Sequence, residues 1–110
     1  MSELSQKRCV PCEGGEPALT PAQAKDLMEQ VPEWTLEDDA KKLTREFAFK
    51  DFSQALAFAN KVGEIAEEQW HHPDLEVGWG KVKVTLTTHA VRGLSENDFI
   101  VAARIDLLGK

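Results

Sequence analysis

The stretch from Phe52 to His71 constrains this chain more than any other. Phe52, Ala55, Leu56, Ala59, Val62, Ile65, Ala66 and Gln69 recur at the three- and four-residue spacing of one helical face. Only Gln69 breaks the apolar stripe. Asp51 stands ready as an N-cap with Gln54 three positions on, and Pro73 ends the run. The spacing predicts a helix over about 52–71, long for a chain of 110 residues. Such a helix can bury one face on its own sheet and still offer apolar surface to another subunit.

The segments around it read as strands and shorter helices. In "KLTREFAF", Leu43, Arg45, Phe47 and Phe49 point one way while Thr44, Glu46 and Ala48 point the other. That is the period of a half-buried strand, with Arg45 the one charge on the apolar side. "EWTL" is a short strand before it, and "EDDAKK" a polar turn between the two. "LEVGWGKVKVTLTTH" holds two strands joined at Gly78 to Lys81; Val82, Val84, Leu86 and Thr88 share one face, and Lys81, Lys83, Thr85, Thr87 and His89 the other. Thr20, Pro21 and Gln23 begin a first helix that Pro32 ends. Ser95 caps a last helix with Asp98 at its N3 position. The order is helix, strand, strand, helix, strand, strand, helix. Short turns between paired strands imply an antiparallel sheet. The expectation is an α+β two-layer domain, with four antiparallel strands and three helices packed on one face.

Residues 1–18 carry Cys, Pro and Gly without an apolar period and read as a flexible leader; residues 19–110 read as a single domain. Cys9 and Cys12 form a lone CxxC with no second pair. A structural zinc site usually has four ligands, so the pair is expected to be reduced, with a disulfide or a metal shared between subunits as alternatives. The net charge is −6 with no run of Lys and Arg, which argues against direct nucleic-acid binding. No apolar run approaches the roughly 20 residues of a membrane span. The first residues lack the apolar core of a secretory signal, so the expected location is cytoplasmic.

The chain has 3 histidines, and two of them adjoin Pro73 in "EEQWHHPDLEVGW". Glu67 lies four residues before His71, so a continuous helix puts it on the same face one turn away. His72 precedes proline and is pushed toward extended backbone. His89 closes the second strand of the hairpin, and strand ends meet helix ends at the rim of a layered domain. Three imidazoles converging there suit proton exchange near neutral pH. There is no Ser/His/Asp signature, no cysteine nucleophile beside the histidines and no standard glycine-rich phosphate loop. Zinc held by three histidines is an alternative, although the spacing matches no common zinc motif. So is a structural role: exposed histidines at a helix end, Glu67 as a surface charge, Asp98 as a capping residue, and Trp34 and Trp79 as core or interface residues.

The residues together resemble the pterin-4a-carbinolamine dehydratases. The stretch "EEQWHHPDLEVGWGKVKVTLTTHAVRGLSEND" carries Glu67, His71, His72, Pro73, Trp79, His89 and Asp98 in that family's order and spacing. The likeness reaches upstream through "WTL" at Trp34, the "FKDF" helix start and the long helix, over about residues 20–108. It implies dehydration of 4a-hydroxytetrahydrobiopterin to the quinonoid dihydropterin, which recycles the cofactor of aromatic amino-acid hydroxylases, with no metal or organic cofactor. It implies His71, His72 and His89 as the catalytic histidines, with His71 and His89 exchanging protons and His72 orienting the pterin. It implies that Glu67, Trp34 and Asp98 shape or polarise the site. Trp70 stands where some members carry an acid, and is expected to contact substrate. Homodimers or homotetramers are implied, and one branch also acts as a dimerisation cofactor for a transcription factor. A non-enzymatic assembly or coactivator module on the same fold is the alternative.

Overall fold

A computed structural model describes residues 4–9 and 17–108. Its main elements are α1 (Pro21–Met28), β1 (Thr35–Glu37), β2 (Lys42–Ala48), α2 (Phe52–Gln69), β3 (Asp74–Gly78), β4 (Lys81–Leu86) and α3 (Glu96–Asp106). Two single 3-10 turns, Leu4–Gln6 and His89–Val91, complete them. The four strands form one sheet in the order β1-β2-β4-β3, with every neighbouring pair antiparallel. This is the expected α+β architecture.

The core lies between the sheet and the helices. Leu43 and Phe47 of β2, Val82, Val84 and Leu86 of β4, Ala55, Phe58, Ala59 and Val62 of α2, and Phe99, Ile100, Ala103 and Ile105 of α3 are all buried in one cluster. The opposite face of the sheet is polar. Glu46, Lys83 and Glu76 lie in one row across β2, β4 and β3, opposite charges facing across neighbouring strands. Gly80 makes the β3–β4 turn at φ +77, a left-handed backbone glycine adopts freely, and a Cβ there would lie 3.1 Å from the Phe49 carbonyl oxygen.

Arg45, the charge on the apolar face of β2, has its explanation in α3. Its Nη1 donates to Asp106 Oδ1 at 2.7 Å, and its guanidinium lies 4.4 Å from the centre of the Phe47 ring. Asp106 also accepts the Trp34 indole N–H at 2.8 Å. Burial pushes the Asp106 carboxyl above its ordinary range, against the opposing pull of the Trp34 N–H and the Arg45 charge.

Three expectations change in detail. α1 stops at Met28 rather than running to Pro32, because the Gln30 and Val31 N–H groups bond the Leu27 and Met28 carbonyls, tightening the last turn to three-residue steps. β4 ends at Leu86, since Thr88 pairs instead with Gly93 and His89 enters a 3-10 turn. Finally, residues 4–9, expected to belong to a flexible leader, are packed. Leu4 is buried in the core beside α3, its N–H bonds Gln30 Oε1 at 3.0 Å, and Arg104 donates to the Lys7 carbonyl at 2.6 Å. Cys12 lies outside the described residues.

Candidate active site

The histidine pair is placed by how α2 ends. The helix stops at Gln69, not His71, and Trp70 takes a left-handed backbone at φ 53. The N–H groups of both Trp70 and His71 bond the Ala66 carbonyl, so the chain reverses as it leaves the helix. A non-glycine residue in this conformation costs roughly 1–2 kcal/mol. Trp70 is 78% exposed, and its ring meets the His72 ring edge to face at 5.3 Å.

The reversal exchanges the expected partners. Glu67 does not sit beneath His71; its Oε2 bonds His72 Nε2 at 2.5 Å, both side chains largely open to solvent. His71 turns inward, with its side chain only 12% exposed, and its Nε2 bonds Asp98 Oδ1 at 2.6 Å. The four-residue spacing of Glu67 and His71 places them on one face only if the helix continues, and it does not.

Asp98 caps α3 and bonds His71 at the same time. From the first turn of α3, its Oδ2 accepts the Ser95 N–H at 2.9 Å, the reciprocal half of a capping box. The same oxygen accepts the Thr88 hydroxyl at 2.7 Å, leaving Oδ1 for His71. Thr88 and Ser95 also bond each other through their hydroxyls at 2.8 Å. The carboxylate is completely buried, so these bonds replace all its water.

His89 follows Thr88 and is exposed, and among the described residues no side chain holds its ring. His71, His72 and His89 line one cleft of about 590 Å³ with Trp70, Thr87 and Ala90. That lies within the roughly 300–1,000 Å³ of small-molecule sites. The cleft thus gathers an imidazole backed by a buried carboxylate, one backed by an exposed carboxylate, and one with no side-chain partner among the described residues.

Not every expected site residue reaches the cleft. Trp34 is buried against Phe47 and Asp106, at the opposite end of α3 from Asp98. Eight residues of helix separate the two, about 12 Å of rise. Trp79, for which a core or interface position was the alternative reading, stands exposed at the β3–β4 turn. Glu67 and Asp98 touch the histidines from outside and from beneath. Conversely, Cys9, Gln69 and Asn97 line the cleft without having been expected there. Gln69 had a visible signal, as the one polar break in the stripe of α2. It is buried because the leader crosses it: its Oε1 accepts the Cys9 N–H at 3.0 Å. Among the described residues, no group of three or more His, Cys, Asp and Glu side chains is arranged to hold a metal ion. None of their helices is long and apolar enough to cross a membrane.

Fold and site together define a small α+β protein with a histidine-rimmed cleft where the end of a helix, the end of a strand and the start of another helix meet. The chain belongs to the pterin 4 alpha carbinolamine dehydratase family, whose model matches residues 17–108. A protein of Methylococcus capsulatus that carries the family's name is 51% identical over 105 residues, covering 96% of this chain and 92% of that protein. One from Rubrobacter xylanophilus is 49% identical, covering 98% and 100%. Among solved structures, a transcriptional coactivator/pterin dehydratase from Brucella melitensis superposes with a TM-score of 0.78 at 31% identity, covering 84% of this chain and 99% of that one. A pterin dehydratase-like protein described as a RuBisCO assembly factor in the alpha-carboxysome gives a TM-score of 0.59 at 28% identity, covering 69% and 88%.

Proposed function

We propose that this protein dehydrates 4a-hydroxytetrahydrobiopterin to the quinonoid dihydropterin and water. The observation that carries the reading is the bond of His71 to the fully buried Asp98, with His71 facing a cleft that His72 and His89 share. The reaction breaks the C4a–O bond, removes a proton from a pterin ring nitrogen and forms a carbon–nitrogen double bond. It needs an acid at the departing hydroxyl and a base at the nitrogen, and no covalent intermediate. Asp98 holds His71 by Nε2, which leaves Nδ1 to accept the ring proton. His89 protonates the hydroxyl as it leaves as water. His72, steadied by Glu67 and flanked by Trp70, binds and orients the pterin.

The same reading places the protein in the cytoplasm, serving an aromatic amino-acid hydroxylase whose spent pterin it restores. It also carries self-association as a dimer or tetramer, supported by the exposed apolar side chains Phe52 and Leu56 on α2 and Val77 on β3. Light scattering on the purified protein tests this, and a monomer at micromolar concentration would refute it. In a coupled hydroxylase assay the protein should accelerate loss of the 4a-hydroxypterin. Unchanged rates for His71→Ala and His89→Ala would overturn the mechanism.

A second reading draws on the two solved relatives, whose descriptions name a coactivator and an assembly factor. In it the fold serves as a binding or assembly module and the cleft is vestigial. All three histidines and Asp98 are present and assembled here, which favours the enzyme. Absence of dehydratase activity together with a stable macromolecular partner would favour the module.

A further inference from the structure

A second, smaller cleft of about 230 Å³ adjoins the first, and the two share Thr87 and His89. It is lined also by Asp38, Lys41, Lys42, Arg92 and Gly93. The chain as a whole carries a charge of −6, yet this cleft brings three cations against one carboxylate. Among the described residues, none of Lys41, Lys42 and Arg92 is in an ion pair. Cations that outnumber the carboxylate beside them and are paired with none favour an anion from outside.

The cleft is also held in shape. The Thr87 hydroxyl donates to the Lys41 carbonyl at 2.8 Å, tying the β1–β2 turn to the end of β4. That turn takes three successive left-handed residues, Asp38, Asp39 and Ala40, and Arg92 on the facing loop is left-handed as well. Asp38 and Arg92, two of these left-handed residues, line the cleft itself, and strain of this sort collects at functional sites.

We infer that Lys41, Lys42 and Arg92 form an anion subsite that receives a phosphate monoester on the side chain of the pterin whose ring occupies the histidine cleft. This rests on the dehydratase reading of the histidine cleft and changes its substrate, from biopterin with its neutral hydroxylated chain to a 4a-hydroxypterin whose side chain carries a phosphate. The second cleft is smaller than the roughly 300 Å³ at which ligand pockets usually begin, so it suits an appended group rather than a second ring. His89, on the boundary of both clefts, would stand between the reacting ring and the charged tail. A doubly charged phosphate matches three cations better than a neutral hydroxylated chain does.

The test is fluorescence titration of the full chain, in phosphate-free buffer, with 6-hydroxymethyl-7,8-dihydropterin and with its phosphate monoester. The wild type should bind the ester about tenfold tighter or better. The Lys41→Ala/Lys42→Ala/Arg92→Ala variant, shown folded by circular dichroism, should bring the ratio close to one. Equal affinities in the wild type, or a preference that survives in the variant, would overturn the inference. Inorganic phosphate alone should compete only weakly with the ester; if it instead strengthens binding of the alcohol as much as the ester linkage does, the cleft takes a free anion and the tethered form is wrong. Turnover of a neutral 4a-hydroxypterin without any ester preference overturns this inference and leaves the dehydratase standing. Failure of both pterins to bind overturns both.

Discussion

Asp98→Asn separates what Asp98 does for the fold from what it does for His71. Oδ2 accepts two donors, the Ser95 N–H and the Thr88 hydroxyl, whereas Oδ1 meets only His71 Nε2. An asparagine has one acceptor oxygen and one amide that only donates. With two donors on one side, the oxygen stays toward Ser95 and Thr88 and the amide turns to His71. Nε2 must then accept, so the neutral ring carries its proton on Nδ1, the nitrogen proposed to take the pterin proton. The shape of the site is kept and the tautomer is reversed. In a serine-protease triad the equivalent change lowers kcat about 10⁴-fold, and a positioned general base contributes roughly 10²–10⁴-fold. A fall in kcat of about 10²–10³-fold is expected here, equal to about 2.7–4 kcal/mol of barrier. KM should move little, because the pterin's binding contacts are unchanged. The coupled hydroxylase assay gives the rates, and ¹⁵N chemical shifts of the His71 ring report the tautomer directly. A variant with the reversed tautomer and a kcat within about threefold of wild type would refute the role given to His71. One that keeps the original tautomer would refute the reasoning about Asp98.

Three more outcomes follow from the same contacts. Glu67→Gln should change kcat/KM by no more than about fivefold, since its pairing with His72 is exposed and such pairs contribute roughly 0.2–1 kcal/mol; a loss of 10²-fold in the same assay would mean that His72 is a primary proton carrier. Leu4→Ala should destabilise the protein by about 2–5 kcal/mol in denaturant unfolding, because Leu4 is wholly within the core; an unchanged midpoint would show that the N-terminal segment contributes nothing to the fold. Asp106 titrates above its ordinary value of 3.8, so in that window the folded state binds more protons than the unfolded state and stability falls as pH rises. The unfolding free energy of the wild type minus that of Asp106→Asn should therefore decrease as pH rises from below 3.8 toward neutrality. A difference that is flat or increasing would contradict the direction of the shift.

Local pattern was a good guide wherever the chain repeats. The two-residue alternation of "KLTREF" and "KVKVTL" marks β2 and β4, and the apolar stripe from Phe52 marks α2, because each buries one face and periodicity follows from burial. It was a poor guide where regular structure stops. Helical spacing pairs Glu67 with His71, but the left-handed turn at Trp70 gives His71 to Asp98 and His72 to Glu67. Alternation carries His89 to the end of a strand, but the bridge from Thr88 to Gly93 diverts it into a turn. Gly93 in that turn also lets the chain at Ala18 pass close by, since a Cβ there would lie 2.8 Å from the Ala18 Cβ.

By itself, then, the sequence determined the helices, the strands, the face each one buries and the identity of the three histidines. These depend on neighbours a few residues apart, and periodicity and capping express them directly. The tertiary structure alone decided which carboxylate serves which imidazole, that Cys9 and Gln69 wall the cleft, that Trp34 stands apart from it, and that three cations gather beside His89. Most of these depend on residues far apart along the chain, such as the 27 positions between His71 and Asp98, and even Glu67 meets His72 only because the helix stops at Gln69. Such pairings have no local signal, because they exist only once the sheet has closed over its helices and both chain reversals are in place.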